Sequence, residues 1–139
     1  MTFQTTFAVY GEPIGKARPR FTRTGRAYTP QKTASYEDEI RHMAKAAMGE
    51  SDPLETPVGV YCYITLPVPQ SYTKKRSEAC LNGSERPTKK PDIDNIAKAF
   101  LDAMNGIVYL DDKQVVSLHV TKVYGDTGCV NILVKEELQ

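Results

Sequence analysis

Between Thr2 and Val9 apolar and polar positions alternate: Phe3, Thr5, Phe7 and Val9 share one side, and Gly11 and Pro13 end the run. A period of two is the mark of a half-buried strand, so a first strand is predicted here. Thr56 to Leu66 repeats the pattern, with Val58, Val60, Cys62, Ile64 and Leu66 on one face until Pro67 and Pro69 stop it. Gln114 to Tyr124 sets Val116, Leu118 and Val120 against Ser117, His119 and Thr121. Val130, Ile132 and Val134 then follow the turn residues Gly125, Asp126, Thr127 and Gly128. Two alternating runs joined by so short a Gly-containing connection predict a hairpin.

Two stretches change to helical spacing. Thr29 and Pro30 suit the N-cap and the first helical position, and Tyr36, Ile40, Met43, Ala44 and Ala47 recur along one face up to Gly49. From Asp94 onward, at about 100° per residue, Ile96, Ala97, Phe100, Leu101, Ala103 and Met104 fall on one broad arc. Asp94, Lys98, Asp102 and Asn105 fall on the opposite one, and Gly106 follows as a C-terminal cap. Residues 70 to 91 carry neither period and are predicted as a polar, basic connection. The architecture expected is α+β, a mixed β-sheet with two main α-helices in a single domain over residues 1–139.

Composition narrows the class. A chain of 139 residues and 15.5 kDa fits one domain that buries roughly two-thirds of the surface its unfolded form exposes. With 40% hydrophobic and 25% charged residues, disordered and fibrous classes are disfavoured. No run approaches the ~18 apolar residues of a membrane span, and MTFQTTFAVYG lacks the order of a signal peptide, so a cytoplasmic protein without a membrane partner is expected. Cys62, Cys80 and Cys129 are odd in number and lack C-x-x-C spacing, which argues for reduced, structural thiols.

The net charge is only +1, but its distribution is uneven. Lys16, Arg18, Arg20, Arg23, Arg26 and Lys32 fall between Pro13 and Tyr36 without a single acid. Lys74, Lys75, Arg76, Arg86, Lys89 and Lys90 face only Glu78 and Glu85 between Gln70 and Lys90. Such blocks suit either an anionic partner met on one face or an ordinary solvated surface.

The acids are more specific. Asp92 and Asp94, in KPDIDNIAKAF, precede and open the second helix. One carboxylate there is explained as a cap that suits the positive end of the helix dipole. A second, two residues ahead, brings like charges together, which costs energy unless a cation lies between them. Asp111 and Asp112 form another pair just before the next strand, and the two clusters would meet at one edge of a sheet. Asp92, Asp94 and Asp112 would then offer hard oxygen ligands suited to Mg²⁺ or Mn²⁺. An EF-hand fits poorly, because Ile96 and Ala97 stand where its loop wants Asp or Asn and Gly. His42 and His119 have no nucleophile motif around them, so Ser/His/Asp catalysis is not supported.

Taken together, KPDIDNIAKAFLDAMNGIVYLDDKQVVSLHVTKVYG, Lys90 to Gly125, resembles the core signature of RusA-type Holliday-junction resolvases. That signature is a P-D-x-D-N-x-x-K helix start, then D-D-x-Q-V opening a strand, then a lysine near the strand's end. GEPIGKARPRFTRTGRAYTP, Gly11 to Pro30, is similar to the N-terminal region of the same family. The resemblance implies a homodimeric, magnesium-dependent endonuclease that resolves four-way junction DNA by paired symmetric nicks in recombination and repair, often encoded by prophages. No small-molecule cofactor is implied. By resemblance Asp92, Asp94 and Asp112 are metal ligands and Lys98 is a further catalytic residue, with Asp111 a weaker ligand candidate. Lys16, Arg18, Arg20, Arg23, Arg26, Lys89 and Lys90 would bind nucleic acid. Two alternatives stay open: a non-catalytic DNA-binding module whose acids only cap a helix, and another metal-dependent phosphoryl-transfer enzyme, such as a D-x-D phosphatase.

Overall fold

The computed structural model describes residues 2–138. Strand β1 (Gln4–Tyr10) is followed by two short strands, β2 (Arg20–Phe21) and β3 (Ala27–Tyr28), which pair with each other as a small ribbon inside the arginine-rich segment. Helix α1 (Gln31–Met48), strand β4 (Val58–Pro67), helices α2 (Lys74–Leu81) and α3 (Ile93–Met104), and strands β5 (Val115–Gly125) and β6 (Cys129–Glu136) complete the order. The four long strands form one sheet in the order β1-β6-β4-β5, with β4 and β5 parallel and the other pairs antiparallel. The sheet is mixed and the class is α+β, as the alternating and helical spacings predict.

The predicted hairpin between the last two strands does not form. β4 lies between β5 and β6, so Asp126, Thr127 and Gly128 carry the chain across the end of β4 instead of folding it back on its neighbour. Gly128 fits that crossing because an added Cβ would lie 2.9 Å from the Gly11 carbonyl oxygen. The cause of the rearrangement is the crossover upstream: parallel strands need a connection of a dozen or more residues, and the chain from β4 to β5 supplies one containing α2 and α3.

The polar connection expected over residues 70 to 91 contains α2. Its periodicity is invisible because Cys80 alone is buried, yet Thr73 caps it by accepting a hydrogen bond from the Arg76 N–H at 3.2 Å. The first helix starts one residue later than predicted, with Pro30 at the N-cap.

One face of the sheet is covered. Val58, Val60, Cys62, Ile64 and Leu66 of β4 pack with Phe7, Val9, Val130, Ile132 and Val134 beneath α1 and α3, and Tyr36 meets Phe100 edge-on at 5.8 Å. Phe100, Ile96 and Met104 are fully buried, as their shared arc on α3 requires. The opposite face carries Tyr61, Tyr63, His119 and Asn131, with no helix among the described residues over it. β5 is an edge strand with only Tyr124 buried, and α3 lies against its covered side. No helix among the described residues is long and apolar enough to cross a membrane.

Candidate active site

A cleft of about 280 Å³ opens between α3 and β5. Its floor is apolar, made by Ile93, Ala97 and Leu101 from the helix and Leu118 and Val120 from the strand; its walls carry Asp94, Lys98, Asp102 and Asp112. The crossover explains why two acidic motifs 18 residues apart in sequence face one another. The first opens α3 and the second lies in the 3₁₀ turn Asp112–Gln114 that delivers the chain into β5.

Asp92 is the N-cap residue of α3, but its side chain accepts no capping hydrogen bond. The simple capping account therefore fails for it. Asp92 is exposed and is not among the side chains that line the cleft, whereas Asp94, in the first helical turn, is. Among the described residues neither carboxylate, nor that of Asp112, is engaged in a side-chain hydrogen bond or an ion pair. Asp111 differs: its carboxylate accepts from the Lys113 N–H at 2.9 Å, and Gln114 Oε1 accepts from the Asp111 N–H at 2.9 Å. This reciprocal capping box gives Asp111 a structural task. It also isolates Asp112 as the free member of the pair.

Gln114, the glutamine of the D-D-x-Q run, has a second role that spacing could not reveal. Its Nε2 donates to the Leu54 and Thr56 carbonyls at 2.8 and 2.9 Å, bolting the Asp112 turn to the segment before β4. Tyr109, fully buried, donates its hydroxyl to the Leu101 carbonyl at 2.8 Å and so fastens the same approach to α3. Burial, followed by the nearby charges of Asp112, Asp102 and Asp111, pushes its phenol far above the ordinary tyrosine range.

Asp102 is a cleft residue absent from the predicted set. It sits one turn beyond Lys98, whose Nζ is 3.9 Å from Asp102 Oδ2, and it also meets Lys16 Nζ at 3.2 Å. Lys16 in turn reaches Glu37 Oε2 at 2.5 Å. Burial works against the Lys16 ammonium, but hydrogen bonds to Glu37 and Asp102 outweigh it and hold its pKa above the usual lysine value. The ammonium expected to bind DNA is thus engaged by two carboxylates of the protein itself. Lys98 remains 63% exposed at the mouth of the cleft.

Arg18, Arg20, Arg23 and Arg26 are exposed and pair with no carboxylate among the described residues. The arginine-rich segment is docked against the start of α3: Lys16 N–H donates to the Asn95 carbonyl at 2.9 Å, and a Cβ on Gly15 would crowd Asn95 and Pro91 at 3.1 and 3.2 Å. Arg20, Lys32 and Lys90 line a neighbouring groove of about 450 Å³. Lys89 and Lys90, also exposed, lie on the turn that leads into Asp92.

No three acidic, histidine or cysteine side chains among the described residues are gathered closely enough to hold an ion as they stand. The donor set still fits a hard divalent cation, because Asp92, Asp94 and Asp112 are oxygen donors without competing partners.

The fold and this cleft define a nuclease-like arrangement, free carboxylates bordered by a basic segment. The family described as Endodeoxyribonuclease RusA matches residues 10–135, which covers both acidic motifs, the crossover and the basic segment. The chain belongs to the RusA endodeoxyribonuclease family and is accordingly an endodeoxyribonuclease of the kind that resolves Holliday junctions. It is 36% identical over 135 residues, 94% of each chain, to the uncharacterized protein YqaN of Bacillus subtilis (strain 168).

Proposed function

We propose that this endodeoxyribonuclease is a Mg²⁺-dependent resolvase, a single domain over residues 1–139, that works in the cytoplasm as a homodimer and cuts four-way DNA by paired symmetric nicks. The observation that carries the reading is Asp94 and Asp112 lining the α3–β5 cleft, with Asp92 two residues before Asp94, three carboxylates without side-chain partners among the described residues, in a chain whose exposed Arg18, Arg20, Arg23 and Arg26 pair with no described carboxylate. Asp92, Asp94 and Asp112 would hold the cation. When bound, a divalent cation supplies activation of water and relief of charge on the phosphoryl group in flight.

The chain's own groups do the rest. The apolar floor of Ala97, Leu101, Leu118 and Val120 lowers the local dielectric, which strengthens each charge at the mouth. Lys98 presents its ammonium there and offsets negative charge on a non-bridging oxygen or the leaving group. Arg18, Arg20, Arg23, Arg26, Lys89 and Lys90 bind phosphates, which gives affinity without reading bases. Lys16 contributes to this surface only through the segment it anchors. Two nicks need two acidic clefts, and a closed two-fold dimer matches the symmetry of the junction.

The test is cleavage of a synthetic four-way junction with and without Mg²⁺, against linear duplex and a simple phosphate ester, alongside light scattering. Metal-dependent paired nicking of the junction by a dimer is expected. Junction binding without cleavage would leave a DNA-binding module, hydrolysis of the simple ester would point to a phosphatase, and a monomer on DNA would remove the paired-nick mechanism.

A further inference from the structure

β5 alternates in register with β4, so Leu118, Val120, Lys122 and Tyr124 stand on the covered side of the sheet beside Val60, Cys62, Ile64 and Leu66. Three of those four β5 positions are apolar or aromatic. Lys122 is the exception: a half-buried cation over an apolar face. Its neighbours on the sheet, Ile64 and Tyr124, are both buried. Among the described residues no carboxylate lies within ion-pair distance of it. Its ammonium instead donates to two backbone carbonyls, Lys89 O at 2.7 Å and Pro91 O at 3.1 Å.

Those carbonyls flank Lys90 and end one residue before Asp92. We propose that Lys122 is a positioning residue for the metal-holding carboxylates, clamping the turn that presents Asp92 and the first turn of α3 that carries Asp94. The inference rests on the metal-nuclease reading and deepens it. The clamp spans the seam of the cleft, since Lys122 belongs to the strand that Asp112 leads into while its acceptors belong to the turn into α3. One side chain thereby sets the separation of the two acidic motifs before any cation arrives. Among the described residues neither the Asp92 nor the Asp94 carboxylate has a hydrogen-bond partner, so the backbone is the route by which they are oriented. Groups that orient metal ligands without touching the ion commonly change its affinity 10- to 100-fold.

The experiment is a Mn²⁺ titration of the DNA-free protein followed by electron paramagnetic resonance, on wild type, Lys122→Met and Lys122→Arg, with circular dichroism to confirm folding. Lys122→Met keeps the length and apolar stem but removes the donor. It is expected to bind Mn²⁺ at least about 10-fold more weakly, to need correspondingly more Mg²⁺ for half-maximal junction cleavage, and to bind junction DNA without metal as wild type does. Lys122→Arg, which retains donors, is expected to recover most of the Mn²⁺ affinity. Unchanged Mn²⁺ affinity in folded Lys122→Met overturns the clamp, as does a variant that loses DNA affinity at unchanged Mn²⁺ affinity, which would make Lys122 a phosphate contact. Should Lys122→Met not fold, Lys122→Leu, which likewise has no donor, replaces it: weakened Mn²⁺ binding supports the clamp and unchanged Mn²⁺ binding overturns it. A wild type that takes up no Mn²⁺ defeats the metal-nuclease reading itself, a result distinguishable from the failure of the clamp alone.

Discussion

The Lys16 ammonium lies 3.2 Å from Asp102 Oδ2, tying the arginine-rich N-terminal segment to the helix face that lines the cleft. The same ammonium is 2.5 Å from Glu37, whose side chain is only 9% exposed. Lys16→Met leaves that carboxylate nearly buried without its cation and is expected to destabilise the protein by about 2 kcal/mol, a discount from the cost of breaking a fully buried pair. Denaturant unfolding measures it. The sign with pH follows from the raised pKa of Lys16: its stabilisation is fully present below the ordinary lysine value of about 10.4 and is lost as pH rises through the higher folded value. The gap between wild type and Lys16→Met should be level from about pH 6 to 9 and shrink above about pH 10.5.

Asp92→Asn, Asp94→Asn and Asp112→Asn should each reduce junction cleavage by at least about 10²-fold and leave junction binding nearly intact or slightly tighter, because each removes a cation ligand and a charge that repels phosphate. Single-turnover cleavage and a gel-shift assay on the same preparations check both halves. Asp111→Ala is the internal contrast: it removes the cap of a 3₁₀ turn, so its cost should appear as about 1 kcal/mol of stability.

Lys98→Ala should lower the single-turnover cleavage rate by about 10²-fold, the scale of removing one positioned electrostatic group, while unfolding free energy moves by only a few tenths of a kcal/mol. The second expectation follows from its exposure and its long 3.9 Å approach to Asp102. A loss of stability without loss of rate would reduce Lys98 to a helix-surface ion pair.

Junction affinity should fall steeply with salt. Replacing Arg18 and Arg20 together by alanine should flatten the plot of log affinity against log salt by about two units, one for each phosphate no longer neutralised. Lys16→Met should leave the slope unchanged, since its ammonium is occupied by Glu37 and Asp102. Fluorescence anisotropy across a series of salt concentrations separates the two variants.

These contrasts mark how far the sequence could be read. Alternation located all four long strands, and the arc of Ile96, Phe100 and Met104 located α3, because core burial writes its period directly into the residue order. Strand partnership was not legible: Gly125 to Gly128 looks like a hairpin turn, and only the competing parallel pairing of β4 with β5 sends it across the sheet. α2 was hidden because one buried cysteine makes no stripe. The two motifs did reveal Asp94 and Asp112 as neighbours across one cleft. They could not show that Lys16 turns inward, because Glu37 and Asp102 stand 21 and 86 positions away and meet it only in the folded chain.

The cleft is built across the border of the least buried strand in the sheet. β5 has a paired neighbour on one side only and buries a single side chain, Tyr124, whereas α3 is held by Ile96, Phe100 and Met104 in the middle of the core. When the protein is warmed or mildly denatured, β5 is therefore the piece with the least to lose by fraying. The Lys122 clamp on the turn before Asp92 would be lost with it, so the enzyme should fall silent while most of its architecture is still standing.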